Sequence, residues 1–379
     1  MPGVSADITR EVLVSADLDT LLDDLRRLVE IESPSGDVDA LHACAEEVAA
    51  LIARRLGGDP TIDRDARVDW TSDPGADTPL LVLGHLDTVW PLGTLTRLPF
   101  AGADGRVTGP GVFDMKAGLV VSVHALAALR DRGTAPPVRI LVTSDEETGS
   151  ETSADLVHEA ARASGRVLVL EPCGHGGAVK IARKGVAVGR LTVHGRASHA
   201  GLAPEDGVNA AVALGRLLPA IEALGEHDTT VTPTLLRGGT TMNTVPARAD
   251  VQFDVRFLDP SEPDRLRGAL GSFDAAPAEI TFELHVNRPP MRRDAATPLL
   301  PALHAAAAAV GIEVDTVAVG GASDGNLAAA AGAFVLDGLG PEGDGAHAEH
   351  EHVTVAGLVR RVALLAELLP RVAAVPPPR

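Results

Sequence analysis

The chain has 379 residues, and one hydrophobic core rarely grows beyond about 250–300 residues, so we expect two or three domains. Hydrophobic residues make up 45% and charged residues 22%, a composition that is typical of packed globular proteins and excludes a disordered chain. The formal net charge of −19 argues against nucleic acids and anionic membranes as partners, because both are negatively charged themselves.

The first half of the chain alternates between helical and strand patterns. Short runs that are apolar throughout are typical of strands covered on both faces, and the segments between them have helical spacing. The predicted helices cover 18–31, 38–56, 117–129 and 153–161, and the predicted strands cover 80–83, 138–142 and 167–170. This alternation predicts an α/β architecture with a sheet between layers of helices.

The pattern changes at Lys184, where alternating residues predict a half-buried strand. From there to residue 291 the predicted order is β-α-β-β-α-β, which indicates an inserted ferredoxin-like α+β domain. After Pro289 and Pro290 the first pattern returns, with helices over 299–310 and 358–369 and strands over 316–319 and 333–336. We therefore predict a discontinuous first domain, 1–183 and 292–379, and an inserted domain, 184–291.

Export and membrane insertion are not expected. Residues 1–19 contain a single basic residue, Arg10, and no apolar run of the kind found in signal peptides. Cys44 and Cys173 are too few for a disulfide framework. The most apolar helical stretch, 117–129, is shorter than the ~20 residues that cross a bilayer. These features predict a cytoplasmic protein that does not enter the membrane.

Residues suited to metal binding follow several predicted strands. His85 and Asp87 come directly after the first strand, where ligands collect in α/β sheets. On an extended segment they share one face, so His85 could bind a metal while Asp87 holds its other ring nitrogen. Taken alone, this pair is more often a capped turn. Asp114, before the helix at 117–129, is by itself more often a helix cap.

An acidic loop and a histidine cluster extend this set. Glu146 and Glu147 are adjacent carboxylates after the strand 138–142, and a bound cation would remove their repulsion. A solvated loop is the competing interpretation. Glu171 ends the next strand, and His347, His350 and His352 come late in the chain. Oxygen and imidazole ligands of this kind suit zinc or a similar metal.

Taken together, the motifs resemble those of the di-zinc amidohydrolases and peptidases. This family includes glutamate carboxypeptidase, aminoacylase, acetylornithine deacetylase and succinyl-diaminopimelate desuccinylase, and the resemblance spans nearly the whole chain. The matching segments are GHLDTV at 84–89, GxxDMKAG at 111–118, SDEETGS at 144–150, LEP at 170–172, SHAGxxPExGxNA at 198–210, TxNTVPxxAxxxxDxR at 241–256, GGxSDGN at 320–326 and HxxxE at 347–351. The resemblance implies the zinc-peptidase fold, a mixed sheet sandwiched by helices, with the inserted domain serving as a lid and in dimerisation.

The resemblance also implies a set of ligands and a mechanism. One of two zinc ions per subunit would be held by His85, Asp114 and Glu171, and the other by Asp114, Glu147 and His347, with cobalt or manganese as substitutes. His350 remains an alternative to His347, which is favoured because Glu351 follows it at the family spacing. A hydroxide bridging the ions would be the nucleophile, with Glu146 as general base and Asp87 orienting His85.

The inserted domain and the GGxSDGN segment would contribute to substrate binding. In the family, the residue matching His199 acts across a dimer interface and stabilises the negatively charged oxygen of the tetrahedral intermediate, which implies a homodimer here. Asn243 and Arg256 match substrate positions, and a guanidinium can bind a free carboxylate with two hydrogen bonds. A surface charge is the competing interpretation of Arg256. Gly321 and Ser323 resemble the family's carboxylate-binding loop.

The substrate is less constrained than the metal site, because the same core serves several reactions. Residues 87–100 look most like the glutamate carboxypeptidase branch, which predicts cleavage of an amide bond next to an amino acid with a free carboxylate. The substrate would be a small peptide or an N-acyl amino acid. A deacylase of N-acyl amino acids is the closest alternative. A non-catalytic binding relative is disfavoured, because every proposed ligand, Glu146 and His199 are present.

Overall fold

The computed structural model of the protein describes residues 18–378. The predicted lack of an export signal concerns an N-terminal segment that lies almost wholly outside the described residues. The helices are α1 (Leu18–Val29), α2 (Val38–Leu56), α3 (Ala117–Asp131), α4 (Ala154–Ser164), α5 (Ala210–Glu222), α6 (Glu262–Gly271), α7 (Arg293–Ala296), α8 (Leu300–Val310), α9 (Asp324–Ala330) and α10 (Val355–Ala373). All the predicted helices are present within a few residues of their predicted bounds.

The strands include several short ones that the sequence patterns did not predict. They are β1 (Thr61–Ile62), β2 (Val68–Thr71), β3 (Leu80–His85), β4 (Ala101–Ala103), β5 (Arg106–Thr108), β6 (Val138–Thr143), β7 (Arg166–Val169), β8 (Val179–Arg183), β9 (Gly185–His194), β10 (Thr230–Gly238), β11 (Arg248–Phe257), β12 (Glu279–Arg288), β13 (Thr316–Val319), β14 (Phe334–Leu336), β15 (Gly343–Asp344) and β16 (His352–Thr354).

The described chain divides into two compact units. One consists of the described residues up to Ala182 with Arg292–Val319 and the chain from Ser323 onward. The other consists of Arg183–Met291 with Gly320–Ala322. The sequence pattern does not predict that the three residues Gly320–Ala322 belong to the second unit. This segment is held by the guanidinium of Arg183, which donates to the carbonyl oxygen of Gly321 at 3.1 Å.

A six-stranded mixed sheet organises the first unit. Its strand order is β1-β2-β6-β3-β7-β14; β3, β6, β7 and β14 pair in parallel, whereas β1 and β2 are antiparallel to their neighbours. The prediction of a mixed α/β sheet is confirmed. Every residue of β3 and β7 is buried, as strands with helices on both faces require.

Helix α3 is the central helix of the first unit and contacts α1, α2 and α10. The stretch Val112–Asp131, which includes it, is long and apolar enough to cross a membrane, but 89% of an apolar segment of 18 residues within it is buried inside the protein. Gly118 allows α3 to approach the sheet, because a Cβ there would collide with the carbonyl oxygen of Leu170. The apolar character of this helix is therefore explained by its position in the core.

The second unit is an antiparallel sheet with helices packed on one face. Its strand order is β10-β11-β9-β12, and the element order along the chain is β-α-β-β-α-β, as the sequence predicts. Apolar side chains of α5 and α6 pack on alternate residues of the strands to form a core separate from that of the first unit. β10 and β12 lie at the edges of the sheet.

One buried carboxylate links three helices of the first unit. Asp24 on α1 is 2% exposed and accepts hydrogen bonds from Arg55 at 2.7 Å, from Arg54 at 3.3 Å and from Nε2 of His124 at 2.9 Å. Burial alone would raise the pKa of Asp24, but the hydrogen bonds and charges of His124 and Arg55 hold it well below its usual range. The ionised form is therefore part of the fold.

We expect Asp24→Asn to lower the free energy of unfolding by about 2–3 kcal/mol at pH 7. This is less than the ~3–5 kcal/mol of a fully buried pair, because Arg54 and Arg55 reach solvent. A depressed folded-state pKa stabilises the protein above the ordinary value of about 3.9, and this contribution is lost as the pH falls through the folded-state pKa. The difference between the two proteins should therefore persist from pH 7 to 4 and shrink only in stronger acid.

Urea unfolding at several pH values measures this difference. Asp23→Asn is the matched control, because Asp23 is the neighbouring aspartate, lies on the surface and pairs with Arg26 and Arg27. It should leave the unfolding midpoint nearly unchanged. Equal destabilisation by the two substitutions would contradict the role of Asp24.

Candidate metal centre

The proposed ligands come from the carboxyl ends of neighbouring strands and from two loops. His85 is the last residue of β3, Glu146 and Glu147 lie in a 3₁₀ turn after β6, and Glu171 follows β7. These strands are parallel neighbours, so their carboxyl ends meet at one edge of the sheet. Asp114 lies in the irregular turn Val112–Lys116 before α3, where its own φ and ψ are not helical.

The carboxylate of Asp114 lies between two histidines. Its Oδ1 is 3.4 Å from Nε2 of His85, and its Oδ2 is 3.4 Å from Nε2 of His347. On the first side, Oε1 of Glu171 is also 3.4 Å from Nε2 of His85. On the second side, Oε1 of Glu147 is 3.1 Å from Nε2 of His347. The structure thus forms two groups of potential ligands that share one carboxylate.

The donor atoms fit a pair of metal ions. Within the described residues, Nε2 of His85 and Oδ1 of Asp114 are buried side-chain atoms with no hydrogen-bond partner. Leaving such atoms unpaired is costly, and a shared cation would satisfy both. Imidazole and carboxylate donors in this number are those that zinc takes. Glu146 lies beside the cluster, with a carboxylate oxygen within 4.8 Å of ligand atoms of His85 and Glu171.

The charged side chains of the cluster shift one another's pKa values. Burial lowers the pKa of His85, but the carboxylates of Asp114, Asp87 and Glu171 more than reverse this and raise it well above its ordinary value. Contacts with Asp114 and then Glu147 raise the pKa of His347 to about 10. The two histidines in turn hold the pKa of Asp114 below its usual range despite burial. Positive charge is therefore strongly favoured between these carboxylates, whether from imidazolium or from a bound cation.

Asp87 has more partners than the sequence predicts. Nδ1 of His85 donates to the main-chain carbonyl oxygen of Asp87 at 3.0 Å and is 3.4 Å from its carboxylate. The carboxylate accepts from the main-chain N–H groups of Glu146 and Glu147, both at 3.2 Å, and from the hydroxyl of Ser35 at 2.7 Å. Asp87 therefore contacts His85 and also fixes the turn that carries the two glutamates.

His347 and His350 were both candidates for the last ligand. The structure places His347 against Asp114 and Glu147 at the distances given above. The main-chain carbonyl of His350 accepts a hydrogen bond from His352 at 2.9 Å, which ties these two residues to each other. The geometry supports His347 as the ligand.

In the second unit, two of the predicted residues lie on paired segments. His199 forms a β-bridge with Thr244, and the N–H of Ala200 donates to the carbonyl oxygen of Asn243 at 2.9 Å. Nδ1 of His199 accepts from the N–H groups of Gly201 and Leu202, both at 3.1 Å. An imidazole that accepts at Nδ1 carries its proton at Nε2, so this exposed ring presents a hydrogen-bond donor.

The other predicted substrate residues are differently placed. Arg256 on β11 donates from Nε to the carboxylate of Asp254 at 2.9 Å, so a substrate carboxylate would compete with that residue. Gly321 is exposed and belongs to the second unit. The prediction that Ser323 contacts the substrate is corrected, because this residue is fully buried. Its hydroxyl donates to Asp337 at 2.6 Å and caps α9 by accepting from the N–H of Gly325.

Two residues near the cluster had no assigned role from the sequence. Glu351 is buried and accepts from the indole Nε1 of Trp90 at 2.7 Å. The spacing of the HxxxE motif singled out Glu351, but it gave no information about its partners. Trp90 carried no signal beyond its place in a segment that resembles one family branch.

The chain is similar to several known proteins. The model of "Peptidase family M20/M25/M40" matches residues 81–371. Carboxypeptidase G2 of Pseudomonas sp. (strain RS-16) is 29% identical over 367 residues, which cover 91% of this chain and 87% of that protein. Succinyl-diaminopimelate desuccinylase of Delftia acidovorans (strain DSM 14801 / SPH-1) is 31% identical over 314 residues, covering 76% and 80%. The aminopeptidase PepT from Bacillus cereus ATCC 10987 shares the fold, with a TM-score of 0.78, 21% identity and coverage of 95% and 100%.

Proposed function

Because the chain belongs to the peptidase family M20/M25/M40, we propose that it is a zinc-dependent carboxypeptidase that cleaves an amide bond next to an amino acid with a free carboxylate. At a coarser level the protein is a metallohydrolase of amide bonds. The observation that carries the proposal is the carboxylate of Asp114, which faces His85 on one side and His347 on the other. That arrangement suits two adjacent ions.

The roles of the chain's own groups follow from their positions. His85, Asp114 and Glu171 would hold one zinc ion, and Asp114, Glu147 and His347 the other. Two bound zinc ions would polarise the scissile carbonyl and bring the pKa of a water molecule toward about 7.

Two side chains would act on the reacting groups. Glu146, beside the cluster, would accept a proton from water at its carboxylate and pass it to the leaving amine. Nε2–H of His199 would donate a hydrogen bond to the developing oxyanion. Cobalt or manganese could replace zinc, since the donor set also suits them.

We also propose a homodimer formed through the inserted unit, because family members use the residue matching His199 across subunits. The edge strand β10 supports this arrangement, since it carries the exposed apolar residues Leu235 and Leu236. A cytoplasmic location and small peptides or N-acyl amino acids as substrates complete the proposal.

Hydrolysis of a matched panel tests the proposed substrate class. The panel contains acyl- and folyl-glutamates, dipeptides, N-acetyl amino acids and a succinylated diamino acid, each offered to the zinc-loaded protein. We expect the highest kcat/KM for a bulky acyl group on glutamate or another amino acid with a free carboxylate, and loss of turnover after chelation with recovery on adding zinc.

Other substrate preferences would change the proposed function. A preference for the succinylated or acetylated compounds would assign the protein to the deacylases, an alternative favoured by its 31% identity to a desuccinylase. Glu146→Gln measures the background rate. Turnover that is unaffected by complete removal of metal would contradict the proposal.

A further inference from the structure

Glu351 is a fully buried carboxylate with four hydrogen-bond donors around it. Oε1 accepts from the main-chain N–H groups of Phe113 at 2.8 Å and Asp114 at 3.0 Å. Oε2 accepts from the N–H of Gly111 at 2.9 Å and from the indole of Trp90 at 2.7 Å. Each carboxylate oxygen thus has two donors. Two of the four donors belong to the turn that presents Asp114, and a third is Gly111, the residue directly before that turn.

This turn needs an external acceptor. Asp114 and Met115 interrupt its helical geometry, so helical carbonyl groups do not serve all of its N–H groups. A buried N–H without a partner is costly, and Glu351 accepts from three of the four N–H groups between Gly111 and Asp114, whereas the fourth, of Val112, donates to the carbonyl oxygen of Gly109. The main chain of Asp114 is therefore tied directly to the Glu351 carboxylate.

The loop that carries Glu351 also carries His347. This loop is closed by two hydrogen bonds, from the N–H of Ala348 to Gly345 at 2.8 Å and from the N–H of Glu351 to Ala348 at 2.9 Å. His347 has a φ of 61°, in the left-handed region where a histidine is uncommon. A fixed loop is needed to keep it there, and the four bonds at Glu351 hold one end of that loop.

Trp90 and the loop that carries Glu351 also make contacts at the protein surface. The guanidinium of Arg97 lies 5.5 Å from the ring centre of Trp90 and also donates to Glu349. Trp90 in turn donates to Glu351. Glu349 is 80% exposed and two residues from Glu351, so it offers a carboxylate of equal charge without the buried bonds.

We propose that Glu351 is a positioning residue for both ion sites, because it fixes the main chain of Asp114 and the loop of His347 with respect to each other. The proposal rests on the proposed function, in which Asp114 is a ligand of both ions. It assigns Glu351 no contact with substrate or metal.

Glu351→Gln tests the proposal, because it keeps the shape of the side chain but turns an amide NH2 group toward two of the four donors. Purified metal-free protein is titrated with Co²⁺ in competition with a chromogenic chelator, and the visible absorption of the bound cobalt is recorded. We expect both ions to bind about 10- to 100-fold more weakly than in the wild type, as when other partners of metal ligands are removed. The cobalt spectrum should also change, since Asp114 is shared.

Glu349→Gln is the matched control, because it removes the same charge from the same loop. It should keep the wild-type affinities and spectrum. Thermal unfolding of the metal-free proteins separates positioning from stability: a purely structural role would lower Tm but leave the affinity and spectrum of the folded protein unchanged. If Glu351→Gln does not fold, Glu351→Asp is measured instead; it keeps the charge but shortens the reach, and we expect several-fold weaker binding.

The outcomes separate this proposal from the proposed function. Failure of the wild-type protein to bind two Co²⁺ ions would overturn the proposed function and this proposal with it. Two ions in the wild type, with wild-type affinities and spectrum in Glu351→Gln or Glu351→Asp, would overturn only the positioning role.

Discussion

Replacing Glu146 by glutamine should lower kcat by about 10²–10⁴-fold and leave the number of bound ions unchanged. Glutamine has the size of glutamate but cannot accept a proton at neutral pH, so the substitution removes a general base without opening a cavity. The side chain lies beside His85 and Glu171, where it can reach a water molecule that contacts the metal site. Steady-state kinetics and elemental analysis of the same preparation measure both quantities.

Metal content decides between two roles for Glu146. The Glu146 carboxylate is close enough to His85 and Glu171 to bind an ion together with them in place of Asp114. In that case Glu146→Gln should lower the number of bound ions by one. Glu151→Gln is a suitable control, since Glu151 is an exposed acid on the same loop and should keep wild-type kcat. Full metal content with near wild-type kcat in Glu146→Gln would show that another group is the base.

His199→Ala should lower kcat by about 10²–10³-fold with metal content and Tm unchanged, since one donor to an oxyanion has an effect of this size. The ring is exposed and its Nδ1 is occupied by two main-chain N–H groups, so it can be removed without loss of core packing. His194→Ala is the control, because His194 is a second histidine of the same unit that bonds to Thr281 on the neighbouring strand. A rise in KM alone would assign His199 to substrate binding instead.

Mixing two inactive variants tests whether His199 acts across a dimer. If a site takes Glu146 from one chain and His199 from its partner, a heterodimer of Glu146→Gln and His199→Ala contains one intact site. Random exchange of subunits should then restore roughly one quarter of wild-type activity. If both residues act within one chain, neither site of the heterodimer is intact and the mixture stays inactive.

The sequence predicts the main elements of the fold because their patterns are long. The bounds of α2 are found as predicted, since apolar spacing continues to Leu56 and Gly57 then ends the helix with a φ of 80°. Short elements are different. β8 has five residues, and its partner β13 lies more than a hundred residues away, so pairing rather than local pattern defines it. The prediction also missed α9, whose first residues are capped by Ser323 and buried.

The site is predictable only in part, for a similar reason. Ordered motifs single out His85, Asp114, Glu147, Glu171 and His347 as candidate ligands, and the sheet brings together the strand ends that three of them follow or end. Hydrogen bonds to main-chain groups depend on the path of the chain, and the local sequence pattern does not predict them. Ser323 looks like a ligand-binding serine in its motif, yet its hydroxyl is used for capping. The N–H groups that Asp87 and Glu351 bind are equally invisible in the residue types.

The interrupted first unit has a consequence for synthesis on the ribosome. Four proposed ligands, the last of them Glu171, emerge before the inserted unit, whereas His347 emerges after it. At about 5–20 residues per second, an interval of about 9–35 s separates Glu171 from His347. During that time the outer edge of β7 lacks β14, although the core of the second unit can already form from residues 187–278. The late segment that closes the sheet also delivers the last proposed ligand, so a nascent chain has the whole proposed ligand set only after the inserted unit and β14 have been made.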